Sequence, residues 1–338
     1  MIEICNLERT FKVLNRKEGL KGAFLDLFSR DYQYVRAVKE ISMTVQDGEI
    51  VGYVGPNGAG KSTTIKMMTG VLKPTAGSIM IDGKEPYLNR RQHMRRIGVV
   101  FGQRSQLWWS LPVRESFRVL KDMYEVPDEI YQKNLELFES LVNIRELYAK
   151  PVRQLSLGQR MLCEVTAAFL HDPAIVFLDE PTIGLDVAVK DSIRTLVKKL
   201  NEQKGTTIIL TSHDTKDIET LCKRVVIIDK GSLIFDNSIA KLKEMFGRFR
   251  TIKIQLAQDA MSYQQVCDYM EERYTKDQVT VLQAQEQGWT DLVVNEEQAD
   301  FRDILAQVMR EMHIQDIRLE DVSVEEVIRR IYEGRGQA

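Results

Sequence analysis

The stretch that decides the fold spans residues 55–62 and reads GPNGAGKS. Its glycines permit backbone turns in which a Cβ atom would clash, so that successive N–H groups can point into one concavity. Such a nest of amides binds phosphate oxygens, while Lys61 adds a positive charge and the Ser62 hydroxyl can ligate Mg²⁺. The segment therefore predicts a loop that binds the phosphates of a nucleotide. We expect its contacts to come from Gly55, Pro56, Asn57, Gly58, Ala59, Gly60, Lys61, Ser62 and Thr63.

The residues on either side of this loop support the prediction. EIVGYVG, residues 49–55, is typical of a short buried strand, and KSTTIKMMTGVL, residues 61–72, has apolar residues at helical spacing. The loop therefore leads into a helix N-terminus, where the helix dipole favours an anion. A glycine-rich loop that matched the pattern by chance would not be expected to have both neighbours.

A second segment supplies carboxylates. IVFLDE, residues 175–180, is an apolar run closed by two acids, typical of a buried parallel strand that presents them at its C-terminal end. We expect Asp179 to bind Mg²⁺ and Glu180 to orient or polarise an attacking water. Taken alone, the run is equally consistent with a buried strand that merely ends in surface acids.

The segment LSLGQR, residues 155–160, precedes that strand and introduces a helical pattern. Ser156 is suited to cap this helix, and Gly158 to let a phosphate approach the backbone. With these residues the chain resembles the ABC-type ATPase family, whose signature LSGGQ reads LSLGQ here because Leu157 replaces the first glycine. The resemblance implies that Ser156, Gly158 and Gln159 complete a nucleotide site on a second chain, and we expect activity to be retained.

Further motifs follow in the order of the family. The resemblance assigns Gln103 in VVFGQRSQ to the glutamine loop, where it would bind or position Mg²⁺. It assigns Asp186 in TIGLDV to the D-loop, and His213 in IILTSHD to the switch histidine that steadies the γ-phosphate. Each motif is weak alone, but their common order is specific. Catalytic roles are thereby implied for Lys61, Gln103, Glu180 and His213.

The family usually stacks the adenine on an aromatic residue upstream of the phosphate loop, and this chain offers two candidates. Phe11 in LERTF and Tyr34 in DYQYV are separated by an insertion at residues 15–32. The position of Phe11 relative to the first strand favours Phe11 as the residue that stacks on the adenine. Simple core packing is an alternative for either ring.

The alternation of strand and helix patterns predicts an α/β fold with a second, smaller domain. We expect residues 1–247 to form an ABC-type ATPase domain, with a RecA-like core and a helical subdomain at about 104–165. Residues 248–338 show a βαββαβ order, which predicts a small α+β domain of ferredoxin-like kind. This domain contains no nucleotide motif, so we expect it to serve in dimer contact, docking or regulation.

Composition limits the remaining choices. The chain has 338 residues, 43% of them hydrophobic, and a net charge of −2, which supports a proper core and argues against a general nucleic-acid-binding surface. Its apolar runs are far shorter than a bilayer span, and its N-terminus lacks the features of a signal peptide. We therefore expect a cytoplasmic protein that reaches the inner face of the plasma membrane only through a partner. The four cysteines have neither paired nor zinc-like spacing.

Two segments leave their roles open. Residues 19–30 place Phe24 and Phe28 on one face of a predicted helix, which either lies on a membrane or membrane partner or packs on its own domain. Packing is slightly favoured, because two cations make a weak membrane anchor.

Trp108 and Trp109 are adjacent and cannot both face one core from a regular element. Either at least one of them is an exposed interface anchor, or both are partly buried.

The resemblance implies an ATP-hydrolysing subunit of an ABC transporter, with ATP and Mg²⁺ as its ligands. One phosphate loop and one signature imply a head-to-tail pairing, closed by ATP, with a second copy or a paralogous ATPase. The motif order and the small C-terminal domain resemble bacterial exporter ATPases that serve a separately encoded polytopic permease. The alternative is a soluble ABC ATPase acting in translation or nucleic-acid maintenance. The sequence shows neither two nucleotide domains nor inserted coiled coils, which are typical of that class, and we expect no nucleic-acid partner.

Overall fold

A computed structural model of the chain describes residues 1–14, 32–102, 105–245, 249–257, 261–283, 288–321 and 324–332. The chain divides into two compact units, Met1–Asn237 and Ser238–Ala338. This division falls earlier than the predicted boundary after residue 247, because the helix that we expected to close the first domain packs against the last helix of the second unit. The predicted amphipathic helix at residues 19–30 lies outside the described residues.

The first unit combines two sheets with surrounding helices. Its elements in chain order are β1 (Ile2–Leu14), β2 (Tyr32–Val45), β3 (Ile50–Val54), α1 (Lys61–Met68), β4 (Ala76–Ile81), α2 (Arg90–Met94), β5 (Ile97–Phe101), α3 (Val113–Met123), α4 (Asp128–Leu141), α5 (Leu157–Ala168), β6 (Ile175–Asp179), α6 (Val187–Lys204), β7 (Thr207–Thr211), α7 (Thr215–Leu221), β8 (Arg224–Asp229) and β9 (Ser232–Ser238).

The larger sheet has the strand order β5-β6-β7-β3-β8-β9 and is parallel from β5 to β8. Its strands β3, β6 and β7 are almost continuously buried and rich in Val, Ile and Leu, as expected for a parallel sheet covered on both faces. Because neighbouring strands run in the same direction, the C-terminal ends of β3, β6 and β7 meet at one edge of the sheet. The register pairs Asp179 with Thr211 at that edge.

The smaller sheet has the order β2-β1-β4 and is antiparallel. Alternating residues of β1, among them Ile2 and Ile4, are buried together with Ile65 of the helix that follows the phosphate loop. This packing fixes the loop and α1 against both sheets. At about 25 cal/mol per Å², burial of apolar surface is the main force that holds such layers together.

A helical region follows the main sheet's edge strand β5. Helices α3 and α4 each begin directly after a proline in an extended conformation, Pro112 and Pro127, and both carry acids in their first turn, which favours a helix N-terminus. They bury Phe117 and Phe138. Trp108 and Trp109, just before α3, are both exposed, so the role of interface anchor stays a prediction.

The second unit confirms the ferredoxin-like prediction. Its elements are α8 (Ile239–Met245), β10 (Phe249–Leu256), α9 (Tyr263–Glu271), β11 (Val279–Gln283), β12 (Trp289–Asn295), α10 (Phe301–Glu311), β13 (Ile314–Asp321) and α11 (Val324–Tyr332). The four strands form an antiparallel sheet of order β11-β12-β10-β13, with a core that includes Ile252, Val266 and Val308. In the described parts of both units, no helix combines the length and apolarity needed to cross a bilayer.

Candidate functional site

The phosphate loop joins β3 to α1 and is tightly enclosed. Gly60 adopts a φ of 104°, and a Cβ atom there would lie 2.5 Å from the carbonyl oxygen of Ala37 in β2. A Cβ atom at Gly55 would lie 2.6 Å from the carbonyl oxygen of Ile228 in β8. Both distances are shorter than any real Cβ contact, so the path of the loop between β2 and β8 requires glycine at these positions.

Lys61 is held inside the loop. Its side chain is buried, and Nζ donates to the carbonyl oxygens of Gly55 at 2.5 Å and Pro56 at 3.3 Å. Burial lowers the pKa of Lys61, while the charges of Glu180 and Asp179 act in the opposite direction. The cation is therefore placed between the turn of the loop and the carboxylates at the end of β6, where a phosphate would meet it.

Asp179 closes β6 and lies opposite the start of α1. Its Oδ2 accepts from the Ser62 hydroxyl at 3.4 Å, and its Oδ1 accepts from the Thr211 hydroxyl at 2.6 Å. The hydroxyl of Ser62 and the carboxylate of Asp179 are oxygen ligands of the kind that Mg²⁺ prefers. The two side chains are therefore suited to hold Mg²⁺.

Glu180 follows Asp179 in a strained conformation. Its φ of 56° is uncommon for a residue with a side chain, and such strain costs on the order of 1–3 kcal/mol. Two hydrogen bonds hold it there, since its backbone N–H donates to the carbonyl and to the hydroxyl oxygen of Thr211, both at 3.1 Å. In this position its Oε1 lies 2.9 Å from Nε2 of His213.

Ser62, Asp179 and Glu180 border a cleft of about 310 Å³. The cleft is lined by Ser62, Lys66, Phe101, Gly102, Asp179, Glu180 and Ile183. Gly102 is tied to the end of β6, because its N–H donates to the carbonyl oxygen of Asp179 at 2.9 Å. Gln103, the next residue and a predicted Mg²⁺ ligand, lies outside the described residues.

The signature residues form a separate group. Ser156 caps α5, and its side chain and that of Gln159 exchange hydrogen bonds with each other's backbone N–H in a capping box. Gly158 is buried, and a Cβ atom there would lie 2.8 Å from Cγ1 of Val189, so this glycine makes room for α6 of the same chain. Among the described residues that line the cleft beside Ser62, none belongs to the signature.

The predicted D-loop residue lies next to this group. Asp186 is the N-cap of α6, and its Oδ1 accepts from the backbone N–H of Val189 at 3.0 Å. Leu157, which replaces the family's glycine, also reaches the D-loop, since its Cδ2 lies 3.6 Å from where a Cβ atom of Gly184 would be. The signature and the D-loop are therefore packed together within one chain.

The two aromatic candidates are on neighbouring positions of the β1–β2 ladder. Phe11 lies opposite Val35, and Tyr34 lies opposite Lys12. Because successive positions of a ladder point to opposite faces, Phe11 and Tyr34 face opposite sides of the small sheet, and only one of them can stack on a given base. Phe11 is partly buried, with the Arg9 guanidinium 4.6 Å from its ring centroid, whereas Tyr34 is exposed.

Sequence reasoning missed two sets of residues that support the site. Thr211 anchors both Asp179 and the backbone of Glu180. Glu164 is a buried acid on α5 that accepts hydrogen bonds from the Ser105 hydroxyl and from the Gln106 N–H, and so ties the segment after Gln103 to the signature helix. Burial raises the pKa of Glu164, although these hydrogen bonds oppose the rise. A signal existed in each case, a polar residue inside an otherwise apolar strand or helix face.

Comparison with known proteins identifies the family. Residues 38–183 match the family model described as "ABC transporter". The chain is 31% identical over 217 residues to the ABC transporter ATP-binding protein NatA of Bacillus subtilis. The matched region is 64% of this chain and 88% of NatA. It is 34% identical over 215 residues to the bacitracin transport ATP-binding protein BcrA of Bacillus licheniformis, covering 63% of this chain and 68% of BcrA.

The chain belongs to the ABC transporter ATP-binding family. Its reaction is that of an ABC-type ATPase, the hydrolysis of ATP. It is also 34% identical over 236 residues to ABC transporter A family member 1 of Dictyostelium discoideum, but this match spans only 26% of that longer protein. Among solved structures, the dimeric MJ0796, a bacterial ABC transporter cassette, is 26% identical with a TM-score of 0.57, covering 71% of this chain and 99% of that one.

Proposed function

We propose that this chain is the ATP-hydrolysing subunit of an exporter, and that ATP closes it head to tail on a second copy or on a paralogous ATPase to drive a membrane permease. The observation that carries the proposal is that the buried Lys61, the exposed Ser62 and the partly buried Asp179 lie with the Glu180–His213 pair at one edge of the parallel sheet. Phosphoryl transfer to water needs positioning and charge stabilisation rather than covalent chemistry, and this group supplies both.

In this proposal, the phosphates occupy the loop. The amides of residues 55–63 and the Lys61 ammonium bind the phosphate oxygens, whose negative charge the N-terminus of α1 also favours. Ser62 and Asp179, with Gln103 from the sequence prediction, would hold Mg²⁺, which neutralises phosphate charge as the bond to the leaving group breaks.

Glu180 and His213 have separate roles in this proposal. The Glu180 carboxylate accepts a hydrogen bond from the attacking water, and His213 donates to the γ-phosphate. Their present contact, 2.9 Å from Nε2 to Oε1, holds His213 beside Glu180, which lines the cleft. Glu180 lines the cleft and has a strained backbone, and such strain is common at functional sites, which supports a role there.

The position of the signature supports a role for a second chain. Gly158 of the signature packs against Val189 of α6, while the described residues that line the cleft beside Ser62 include none of the signature. Two chains related by a twofold axis could place the signature of each chain over the phosphate loop of the other. Such a closed C2 dimer would complete two equal sites. The two-chain structure of the cassette MJ0796 supports such a pairing for this chain.

We propose a membrane permease as the partner, which the family of this chain supports. The relatives include a bacitracin transport protein and methionine import proteins, so the export direction rests on the resemblance of the motifs and the small C-terminal unit to bacterial exporter ATPases. We propose that the chain lies on the inner face of the plasma membrane, bound to a separately encoded polytopic permease that contains the transport path.

A pull-down from solubilised membranes of the native host tests the proposal. The bait is tagged Glu180→Gln protein with ATP, and the matched control is the same protein with ADP. A small polytopic membrane protein captured preferentially with ATP supports the transporter subunit, and efflux of its cargo from cells, rather than uptake, would support the export direction. Ribosomal or DNA-associated proteins with the bait in the soluble fraction would refute the proposal.

A further inference from the structure

A fully buried carboxylate lies behind the candidate site. Asp217, on α7, has no exposed surface. Its Oδ1 accepts from Nε of Arg194 at 2.6 Å. Its Oδ2 accepts from two hydroxyls, that of Ser212 at 2.6 Å and that of Thr182. Burial of an isolated charge would be strongly unfavourable, and the Arg194 guanidinium together with the two hydroxyl donors offsets that cost.

The two hydroxyls belong to the two segments that carry the hydrolytic groups. Ser212 directly precedes His213, and Thr182 lies two residues after Glu180. One carboxylate oxygen of Asp217 therefore connects the segment after β6 with the segment after β7. We infer that Asp217 is a positioning residue, whose carboxylate sets the separation of Glu180 and His213. The inference rests on the proposed roles of these two residues.

The same network reaches the D-loop helix. Arg194 on α6 also donates from Nη2 to Oδ2 of Asp214 at 3.0 Å, and Nζ of Lys190, one turn earlier on α6, donates to the same oxygen at 2.7 Å. Asp214 follows His213, and its N–H donates to the Ser212 hydroxyl at 3.0 Å. Although burial would raise the pKa of Asp214, the two cations lower it, so the carboxylate is charged at neutral pH.

This arrangement transmits the position of α6 to the cleft. Helix α6 begins at the D-loop residue Asp186 and contacts the signature through Val189. A movement of α6 relative to α7 would shift Asp217 through its hydrogen bond with Arg194. The shift would then reach Ser212 and Thr182 through their hydrogen bonds with Asp217. The Asp217 network therefore connects the surface on which a second chain would close to the distance between Glu180 and His213.

The test compares steady-state ATP hydrolysis by the full chain with Asp217→Asn. An amide at this position keeps the size of the side chain but offers a single oxygen, so the three donors can no longer all be satisfied. We expect kcat to fall at least about tenfold, the effect of roughly 1.4 kcal/mol at the transition state, while KM for ATP changes less than about twofold because Lys61 and the phosphate loop are untouched.

The matched control is Asp236→Asn. Asp236, like Asp217, accepts from the Nε of an arginine at 2.6 Å, here Arg224, whose Nη2 also donates to it at 2.8 Å. Arg224 begins β8, so this pair lies at the opposite edge of the sheet from the site, and Asp236 is partly exposed. Its loss should lower the melting temperature and leave both kcat and KM near their original values. Equal losses of kcat in the two variants, or an unchanged kcat in Asp217→Asn, would overturn the inference.

Two milder variants decide the matter if Asp217→Asn does not fold. Ser212→Ala and Thr182→Val each remove one hydroxyl donor at nearly constant shape, and each should lower kcat severalfold at constant KM. Wild-type kcat in both folded variants would overturn the inference. Glu180→Gln serves as the reference for the proposed function: if it hydrolyses ATP normally, the assignment of Glu180 has failed, whatever the result at Asp217.

Discussion

Replacement of Gly158 by alanine tests why the signature contains a glycine at this position. A Cβ atom there would lie 2.8 Å from Cγ1 and 3.0 Å from Cγ2 of Val189. Overpacking of a core by one such group typically costs about 1–3 kcal/mol, and an alanine in a helix recovers about 0.5–1 kcal/mol relative to glycine. We therefore expect Gly158→Ala to lower the free energy of unfolding of the first unit by about 1–2 kcal/mol.

The measurement is urea unfolding of the full chain followed by tryptophan fluorescence. The chain has three tryptophans, of which Trp289 lies in the second unit, so a Trp289→Phe background leaves Trp108 and Trp109 to report on the first unit alone. The matched partner is Val189→Ala, which removes the two nearest of the three Val189 atoms that the new methyl group would meet and leaves Cβ at 3.3 Å.

The double variant should recover most of the loss. In a double-mutant cycle, we expect Gly158→Ala and Val189→Ala to show a favourable coupling energy of about 1 kcal/mol or more. A Gly158→Ala variant that unfolds at the wild-type urea midpoint, or a Val189→Ala change that gives no recovery, would refute the packing argument. Close approach of a phosphate from another chain would then be the remaining reason for the glycine.

Three further predictions concern the cleft and its surroundings. Glu180→Gln should lower kcat at least about 100-fold with little change in KM and should accumulate an ATP-dependent dimer, measured by light scattering; a monomer in ATP would contradict the proposed pairing. Thr211→Val, which removes the hydroxyl bound to Asp179 at 2.6 Å, should raise the Mg²⁺ concentration for half-maximal ATPase activity about three- to tenfold, and an unchanged Mg²⁺ titration would count against the role of Asp179. Burial lowers the pKa of His171 to about 4 from 6.5. The unfolded chain therefore binds this proton between those pH values, and stability should fall by up to roughly 3 kcal/mol as the pH drops from 6.5 to 4. Urea unfolding of His171→Gln should show a flatter dependence over that window.

Local chemistry explains why the phosphate loop could be predicted from the sequence. The loop's conformation depends on glycines within a short stretch, and its neighbours show the periodicity of a strand and a helix. The capping of α5 by Ser156 and Gln159 is equally local, since both partners lie within one helical turn. The element order of the second unit also predicted its ferredoxin-like topology correctly, because short connections leave few ways to pair four strands.

The sequence by itself determined which strands end in chemically active residues, but only the tertiary structure decided which of those ends meet. Strand order places β6 beside β7 and so brings Glu180 to His213, which lie far apart along the chain. The order of strands depends on the packing of the whole sheet, and no local pattern encodes it. For the same reason, the face on which Phe11 lies and the three donors around Asp217 came only from the structure, because each depends on contacts between separate elements of the fold.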